Sequence, residues 1–129
     1  MTVLSGARVV TPAGVLDPGW VEIRDGRIAA VGGGTPHEAG VDLGGGWLLP
    51  GFIDIHVHGG GGHDFTASRD EMAAGVAYHR GRGTTRTLIS LVTASVEAMS
   101  AQLEWVVDLV DRGEGTARSA EARASCGFD

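Results

Sequence analysis

The order of the elements expected after residue 50 limits most strongly what this chain can fold into. An apolar run that begins at Phe52 predicts a buried strand. Ser68 and Glu71 then form a capping box, in which Ser68 accepts an early amide and Glu71 reaches back. The β-prone run at 87–92 predicts a second strand, and Ser95 can cap a second helix. Strand, helix, strand and helix in this order favour a parallel sheet with right-handed crossovers. The apolar stripe of the second helix consists of Val96, Met99, Leu103, Val106 and Val110.

The first part of the chain predicts a small β module. Asp25 and Gly26 lie between two apolar runs, and Asp-Gly in this position is typical of a two-residue hairpin turn with positive φ at both residues. An earlier strand is expected at 7–10, and a last one, interrupted by glycines, at 41–49. The predicted domains are a small β-sandwich-like module at 1–49, the start of a second domain at 50–113, and a tail at 114–129.

The charge and composition of the chain exclude several classes of partner. With a formal net charge of −6 over 129 residues, the chain lacks the basic surface that nucleic acids or anionic membranes require. It contains no apolar stretch long enough to span a bilayer, and its first residues do not form a signal peptide. Cys126 is the only cysteine, which excludes an internal disulfide framework. We expect a soluble, cytoplasmic protein with no nucleic-acid and no membrane partner.

Two histidines near the end of the first expected strand are the strongest candidates for chemistry. Side chains alternate along a strand, so His56 and His58 project from one face while Val57 points away. Asp54 shares their face, and the glycine run at 59–62 leaves room for a ligand beside them. Two imidazoles that converge in this way can bind one metal ion. Hydrogen-bonded core histidines are the alternative interpretation of the same residues.

A longer pattern around these histidines resembles a known family. Pro-Gly-Phe-Ile-Asp-x-His-x-His at 50–58 is similar to the first-strand signature of the amidohydrolase superfamily, whose members are metal-dependent hydrolases built on a (β/α)8 barrel. The resemblance implies an α/β fold: a small N-terminal β module followed by the first two βα units of a TIM-type barrel. The barrel is expected to be incomplete, because a whole one takes about 250 residues.

The residues after the histidines narrow the resemblance. Dihydroorotases typically continue with an Arg and a Glu-Pro-Gly segment, whereas this chain continues with four glycines, His63, Asp64 and Phe65. That continuation is similar to N-acetylglucosamine-6-phosphate deacetylases. So is Gly-Thr-Thr at 83–85, which precedes a strand that ends in Leu-Val-Thr-Ala-Ser at 91–95.

The deacetylase resemblance, which covers residues 1–113, implies an activity, a cofactor and a partner. It implies hydrolysis of the acetamido group of an amino sugar phosphate, which gives glucosamine 6-phosphate and acetate. It also implies a divalent metal ion, Zn or Fe, bound by His56 and His58, and it allows a homodimer. The family takes a Glu ligand from a His-x-Glu-Gly-Pro motif, His ligands from later strands and a late Asp as acid/base, and this chain has no counterpart of them. We therefore expect the metal to be incompletely ligated and the chain by itself to be inactive.

Three interpretations of the whole chain stay open. It is the N-terminal portion of such a deacetylase, part of another amidohydrolase such as a dihydroorotase or an amino-acid deacylase, or a short non-enzymatic protein that binds a metal or a partner. The tail at 114–129 contains no Val, Ile or Leu, and it is interpreted either as a disordered segment or as a sequence translated out of frame. Because two βα units cannot close a barrel, we expect the isolated chain to be poorly soluble or only partly ordered.

A few other polar residues have weaker claims to function. His63 and Asp64 are interpreted either as a solvated pair in the glycine loop or as residues that approach substrate. Asp54 is interpreted either as a support for a metal ligand or as a purely structural residue. His37 in a loop and His79 near a helix end are predicted to be surface residues.

Overall fold

The computed structural model describes residues 1–113, and the tail expected at 114–129 lies outside these residues. The chain divides into two compact units, Met1–Pro50 and the residues from Gly51 onward. The first unit is a five-stranded sheet in the order β3-β2-β1-β4, with β5 also paired to β1. The β1-β2 and β2-β3 pairs are antiparallel, whereas β4 and β5 run parallel to β1. The strands are β1 (Thr2–Thr11), β2 (Gly14–Arg24), β3 (Arg27–Gly33), β4 (Val41–Asp42) and β5 (Trp47–Leu48).

The turn between β2 and β3 confirms the predicted hairpin. Asp25 has a φ of 51° and Gly26 a φ of 72°, and two positive φ values are what a type I′ turn requires. Ala7, Val9 and Val21 form the buried core of this unit. The ring of Trp20 lies against Gly32, where a Cβ atom would overlap it. Trp47 is exposed, and the Arg8 guanidinium lies 5.5 Å from the centre of its ring.

The second unit contains the predicted strand and helix alternation. Strands β6 and β9 pair in parallel, which confirms the sheet type expected from that alternation. A short antiparallel pair, β7 and β8, lies between β6 and the first helix. No helix in residues 1–113 is long and apolar enough to cross a membrane. The elements are β6 (Phe52–Val57), β7 (Gly59–Gly60), β8 (His63–Asp64), α1 (Arg69–Arg80), β9 (Thr84–Ile89) and α2 (Val96–Asp111).

Serine caps begin both helices, as predicted. The Ser68 hydroxyl accepts a hydrogen bond from the Glu71 N–H at 3.2 Å, and the Ser95 hydroxyl accepts one from the Ala98 N–H at 3.2 Å. The second half of the predicted capping box is wrong, because the Glu71 carboxylate is hydrogen-bonded to His63 instead. His63 therefore competes successfully with the helix terminus for this side chain.

The core of the second unit lies between α1, α2 and the sheet. Its buried members are Phe65, Met72, Val76, Val106, Leu109 and Val110, and Trp105 packs against them. The predicted stripe of α2 is partly wrong, because Val96 is 77% exposed and the buried side chains include Gln102 and Leu109. The buried face begins only at Gln102, so the first turn of α2 projects beyond its packing partners.

Strand β6 forms where predicted, but the prediction that it is buried is wrong. Phe52, Ile53 and Ile55 are 56%, 65% and 72% exposed, respectively. Within the described residues β6 pairs only with β9, so no further strand covers its second edge. Only Val57, at the end of the strand, packs against the core. An apolar run thus predicts a strand locally, whereas its burial depends on neighbours elsewhere in the chain.

Candidate metal centre

Two imidazoles meet at the carboxyl end of β6. His56 lies in the strand and His58 follows its last residue, and their Nε2 atoms are 3.1 Å apart. The ring centroids are 4.9 Å apart and the ring planes are inclined by 76°, so the two rings are arranged edge to face. Both side chains are exposed. The prediction that they share one face is confirmed, and the alternative of a buried core pair is wrong.

Backbone hydrogen bonds hold the strand that carries this pair. The Asp54 carboxylate accepts the His56 N–H at 3.1 Å, so Asp54 supports the strand at the first histidine. The Phe65 N–H donates to the His58 carbonyl at 3.0 Å, and the Ser90 N–H donates to the Val57 carbonyl at 3.0 Å. The main chain is therefore fixed on both sides of the two imidazoles.

The glycine run after His58 is a hairpin. We call residues 59–64, which comprise β7, β8 and the turn between them, the glycine hairpin. Its turn residues Gly61 and Gly62 have φ values of 65° and 91°, a conformation that strongly favours glycine. A Cβ atom at Gly60 would overlap the ring of His79, and one at Gly61 would overlap the ring of Tyr78. The glycines thus let the hairpin lie directly against the end of α1.

The polar residues of the hairpin have protein partners. The His63 Nδ1–H donates to the Glu71 carboxylate at 2.9 Å, which joins β8 to the first turn of α1. The Asp64 carboxylate accepts both the N–H and the hydroxyl of Thr66 at 2.7 Å each. The Thr66 N–H first, and its hydroxyl second, lower the pKa of Asp64 below the ordinary value. Asp64 is exposed, as the interpretation of a solvated residue predicts, whereas His63 is half-buried and paired with Glu71.

His79 is also not the surface residue that its position near a helix end predicts. It is half-buried, and its Nε2–H donates to the Gly59 carbonyl at 2.9 Å. The two residues are 20 positions apart, and no local pattern connects them. Only the glycines at 59–62, which admit a close neighbour, hint in the sequence that something packs on this segment.

The donor atoms of the pair suit a transition-metal ion. Two nitrogens that bind the same zinc ion, each at about 2.0–2.1 Å, lie about 3 Å apart when the N–Zn–N angle is between the square-planar and the tetrahedral value. The 3.1 Å separation of the two Nε2 atoms fits this requirement. Within residues 1–113, no group of three or more His, Cys, Asp or Glu side chains is arranged to hold a metal ion. The described residues therefore bring two nitrogen donors together, with no third candidate ligand beside them.

An apolar groove in the first unit offers no comparable chemistry. It has a volume of about 470 Å³ and is lined by residues such as Leu4, Val10, Ile28 and Val31. Thr11 is its one polar lining residue, and no titratable side chain faces it. Of the two places, only the histidine pair carries titratable side chains.

Comparisons with known proteins point to one group of enzymes. The chain is 30% identical over 118 residues to N-acetylgalactosamine-6-phosphate deacetylase from Shewanella sp. (strain ANA-3). This match covers 86% of this chain and 30% of that protein. It superposes on N-acetyl-D-glucosamine-6-phosphate deacetylase from Mycobacterium smegmatis with a TM-score of 0.79 and 41% identity, over 88% of this chain and 33% of that one. A variant of the Mycobacterium smegmatis enzyme in complex with N-acetyl-D-glucosamine-6-phosphate gives a TM-score of 0.76 and 42% identity, over 88% and 30% of the two chains. No protein-family model matches the chain.

Other proteins match over a smaller share of the chain or at similar identity. Dihydroorotase from Anaeromyxobacter dehalogenans is 44% identical over 59 residues, which is 43% of this chain and 14% of that protein. Imidazolonepropionase from Pseudomonas entomophila is 30% identical over 132 residues, which is 99% of this chain and 31% of that protein. The chain spans about 30% of the length of the curated deacetylases that it matches. The resemblance expected from the sequence is confirmed: this chain is similar to the N-terminal part of the N-acetylglucosamine- and N-acetylgalactosamine-6-phosphate deacetylases.

Proposed function

We propose that His56 and His58 bind a divalent metal ion in the active site of an amino-sugar-6-phosphate deacetylase. The 3.1 Å separation of their Nε2 atoms at the carboxyl end of β6 is the observation that carries this proposal. Active sites of (β/α)8 barrels lie at the carboxyl ends of the strands. The relationship to deacetylases of two amino sugar phosphates supports the same assignment.

The proposed reaction is the hydrolysis of an acetamide. Water adds its oxygen to the acetyl carbonyl, the C–N bond breaks, and the nitrogen leaves as the amine of the sugar phosphate while acetate is released. A divalent ion bound there would supply Lewis acidity to this reaction, because such an ion lowers the pKa of a bound water toward about 7 and polarises a carbonyl. The two histidines hold the ion through nitrogen donors, which suit Zn or Fe. An imidazole binds a metal through a nitrogen that carries no proton. If Nε2 of each histidine is the donor, the proton of the neutral ring is on Nδ1.

Metal titration of the 129-residue chain tests the ligand assignment. We expect Zn²⁺ to bind with a stoichiometry of one, and His56→Ala or His58→Ala to weaken binding at least about tenfold, since each change removes one of two nitrogen donors. Isothermal titration calorimetry measures the affinity. His37→Ala, which changes an exposed histidine of the first unit, is the matched control and should bind zinc like the unchanged chain. Equal affinity in all four proteins would contradict the proposal.

Catalysis by the chain alone is a separate question. Because the described residues supply two ligands and no third candidate gathers beside them, we expect the zinc-loaded chain to release no acetate. The assay uses N-acetylglucosamine 6-phosphate and N-acetylgalactosamine 6-phosphate in parallel, because relatives of both kinds match the chain. Zinc-dependent acetate release from either substrate would overturn this expectation and would show which sugar is preferred.

Hydrolysis of a cyclic amide is the second candidate function. The 44% identity to a dihydroorotase over 59 residues favours it. Adding dihydroorotate to the same assay distinguishes the two candidates, since ring opening yields carbamoyl aspartate and no acetate. Turnover of dihydroorotate without acetate release from the sugars would replace the deacetylase proposal.

A further inference from the structure

The carboxyl-terminal turn of α1 holds the glycine hairpin through two adjacent aromatic side chains. The ring of His79 lies over Gly60 and the ring of Tyr78 lies over Gly61, and in both places a Cβ atom on the glycine would overlap the ring. The two rings are perpendicular to each other, with centroids 5.5 Å apart. The hairpin therefore rests on a preformed surface of the helix.

The polar contact in this surface has a defined direction. A carbonyl oxygen can only accept a hydrogen bond, so the 2.9 Å contact between the Gly59 oxygen and His79 requires a proton on Nε2. His79 thus acts here as a fixed donor.

The bonded carbonyl belongs to the residue next to His58. The His58 carbonyl itself accepts the Phe65 N–H at 3.0 Å, and the side chain of Phe65 is fully buried in the core. Two consecutive carbonyls, those of His58 and Gly59, are therefore held, the first by the Phe65 N–H and the second by His79. Released from His79, the chain at Gly59 would keep only the hairpin's own hydrogen bonds.

We propose that His79 is a positioning residue, which holds the Gly59 carbonyl and thereby fixes the backbone that aims the His58 imidazole at His56. The part of this inference that concerns metal affinity rests on the proposed function. The part that concerns the backbone does not, because it follows from hydrogen bonds within the protein itself. The sequence predicts no such role for a histidine near the end of a helix.

Two substitutions separate the hydrogen bond from the bulk of the ring. His79→Leu removes the donor and keeps an apolar side chain in the same place, whereas His79→Gln keeps an N–H at a similar reach. We expect His79→Leu to weaken zinc binding about tenfold, the low end of the loss seen when an outer-shell partner is removed. His79→Gln should bind zinc nearly as well as the unchanged chain. Urea denaturation of both variants and of the control His37→Leu shows whether global stability differs.

Amide exchange tests the backbone without any metal. The Phe65 N–H bonds to the His58 carbonyl, so its exchange rate reports whether the chain beside His58 is held. We expect exchange at Phe65 to become at least about tenfold faster in His79→Leu and to stay slow in His79→Gln. Should His79→Leu not fold, Gly60→Ala, which intrudes on the His79 ring, is expected to weaken zinc binding and speed exchange in the same way.

Each outcome decides one of the two proposals. If the unchanged chain binds no zinc, the proposed function fails, and the exchange rates alone decide the role of His79. If His79→Leu matches the unchanged chain in both zinc affinity and Phe65 exchange, His79 is not a positioning residue. Equal losses in His79→Leu and His79→Gln would likewise overturn the inference, because they would show that ring packing, rather than the hydrogen bond, matters.

Discussion

At the scale of single residues, one glycine of α1 decides how the hairpin reaches the core. Gly75 is buried in the middle of the helix, and a Cβ atom there would lie 2.6 Å from Cε1 of Phe65. The Phe65 side chain is fully buried in the core, so an added methyl group would press its ring against packed neighbours. The missing side chain at Gly75 therefore lets the residue after the hairpin anchor the His58 carbonyl.

Replacing this glycine should destabilise the chain even though it improves the helix. Gly75→Ala gains about 1 kcal/mol of helix propensity, but forcing a methyl group against a packed ring costs about 1–3 kcal/mol. The overlap with a buried ring makes us expect a net loss of about 1 kcal/mol or more. Urea denaturation measures it.

Gly81→Ala is the matched control for this change. Gly81 caps the same helix with a φ of −63°, and the nearest atom to an added Cβ is 3.5 Å away. The control should be neutral or stabilise the chain by up to about 1 kcal/mol. A Gly75→Ala variant as stable as Gly81→Ala would mean that the Phe65 ring can move.

Residue-level prediction from the sequence succeeds where the rule is local. His56 and His58 share a face because the strand period is two, and this holds whatever surrounds the strand. Glu71 was expected to bond within its own capping box, but His63, eight residues earlier, takes the carboxylate. The bond from His79 to Gly59 spans 20 residues, so only the folded chain reveals it.

At the scale of elements, both helices begin at a serine, although they differ in their surroundings. The first turn of α1 carries Asp70 and Glu71, whereas that of α2 carries only Glu97. The beginning of α2 is also exposed, since Val96, its first residue, is 77% exposed. The start of α2 consequently depends on its cap more than the start of α1 does.

Loss of the α2 cap should therefore be measurable. Ser95→Ala removes the acceptor of the Ala98 N–H and should cost about 1 kcal/mol of unfolding free energy. Ser95→Asp keeps an acceptor and adds a charge that the helix dipole favours, so it should be as stable as the unchanged chain. Ser100→Ala, on the exposed side of the same helix, is the control and should not destabilise. Thermal unfolding of the three variants measures these differences. If Ser95→Ala proves as stable as Ser100→Ala, Ser95 does not stabilise the helix as a cap.

Element types were predictable here, whereas their burial was not. The parallel β6-β9 pair follows from the strand and helix alternation. The buried face of α2 begins at Gln102 rather than at Val96, because α2 finds packing partners only along its later turns. Periodicity identifies the apolar side of a helix, but it cannot show how far a neighbouring helix extends.

At the scale of the whole molecule, the described residues expose apolar surface in the strand that carries the candidate site. Ile53 and Ile55 lie on one face of β6, and both are largely exposed. The second edge of β6 has no strand partner within residues 1–113. Unpaired edges and exposed apolar side chains promote association between chains.

This surface predicts concentration-dependent association that substitution can reduce. The double variant Ile53→Thr with Ile55→Thr should lower both self-association and binding of a hydrophobic dye. It should change the unfolding free energy by no more than about 0.5 kcal/mol per site, because the side chains are exposed. Sedimentation velocity at several concentrations measures the association, and it also tests the homodimer that the family resemblance allows. Ile28→Thr, exposed in the first unit, is the control; association that falls equally in the control would place the contact elsewhere.

The tryptophans give each unit its own optical signal. The chain has three, at 20, 47 and 105, of which Trp20 and Trp47 lie in the first unit and Trp105 packs on the core of the second. A chain with Trp20→Phe and Trp47→Phe has one tryptophan left, and its fluorescence under selective tryptophan excitation follows the surroundings of α2 alone. Quenching by acrylamide or a red shift of that emission then records loosening of the unit that carries the histidine pair, at concentrations too low for calorimetry.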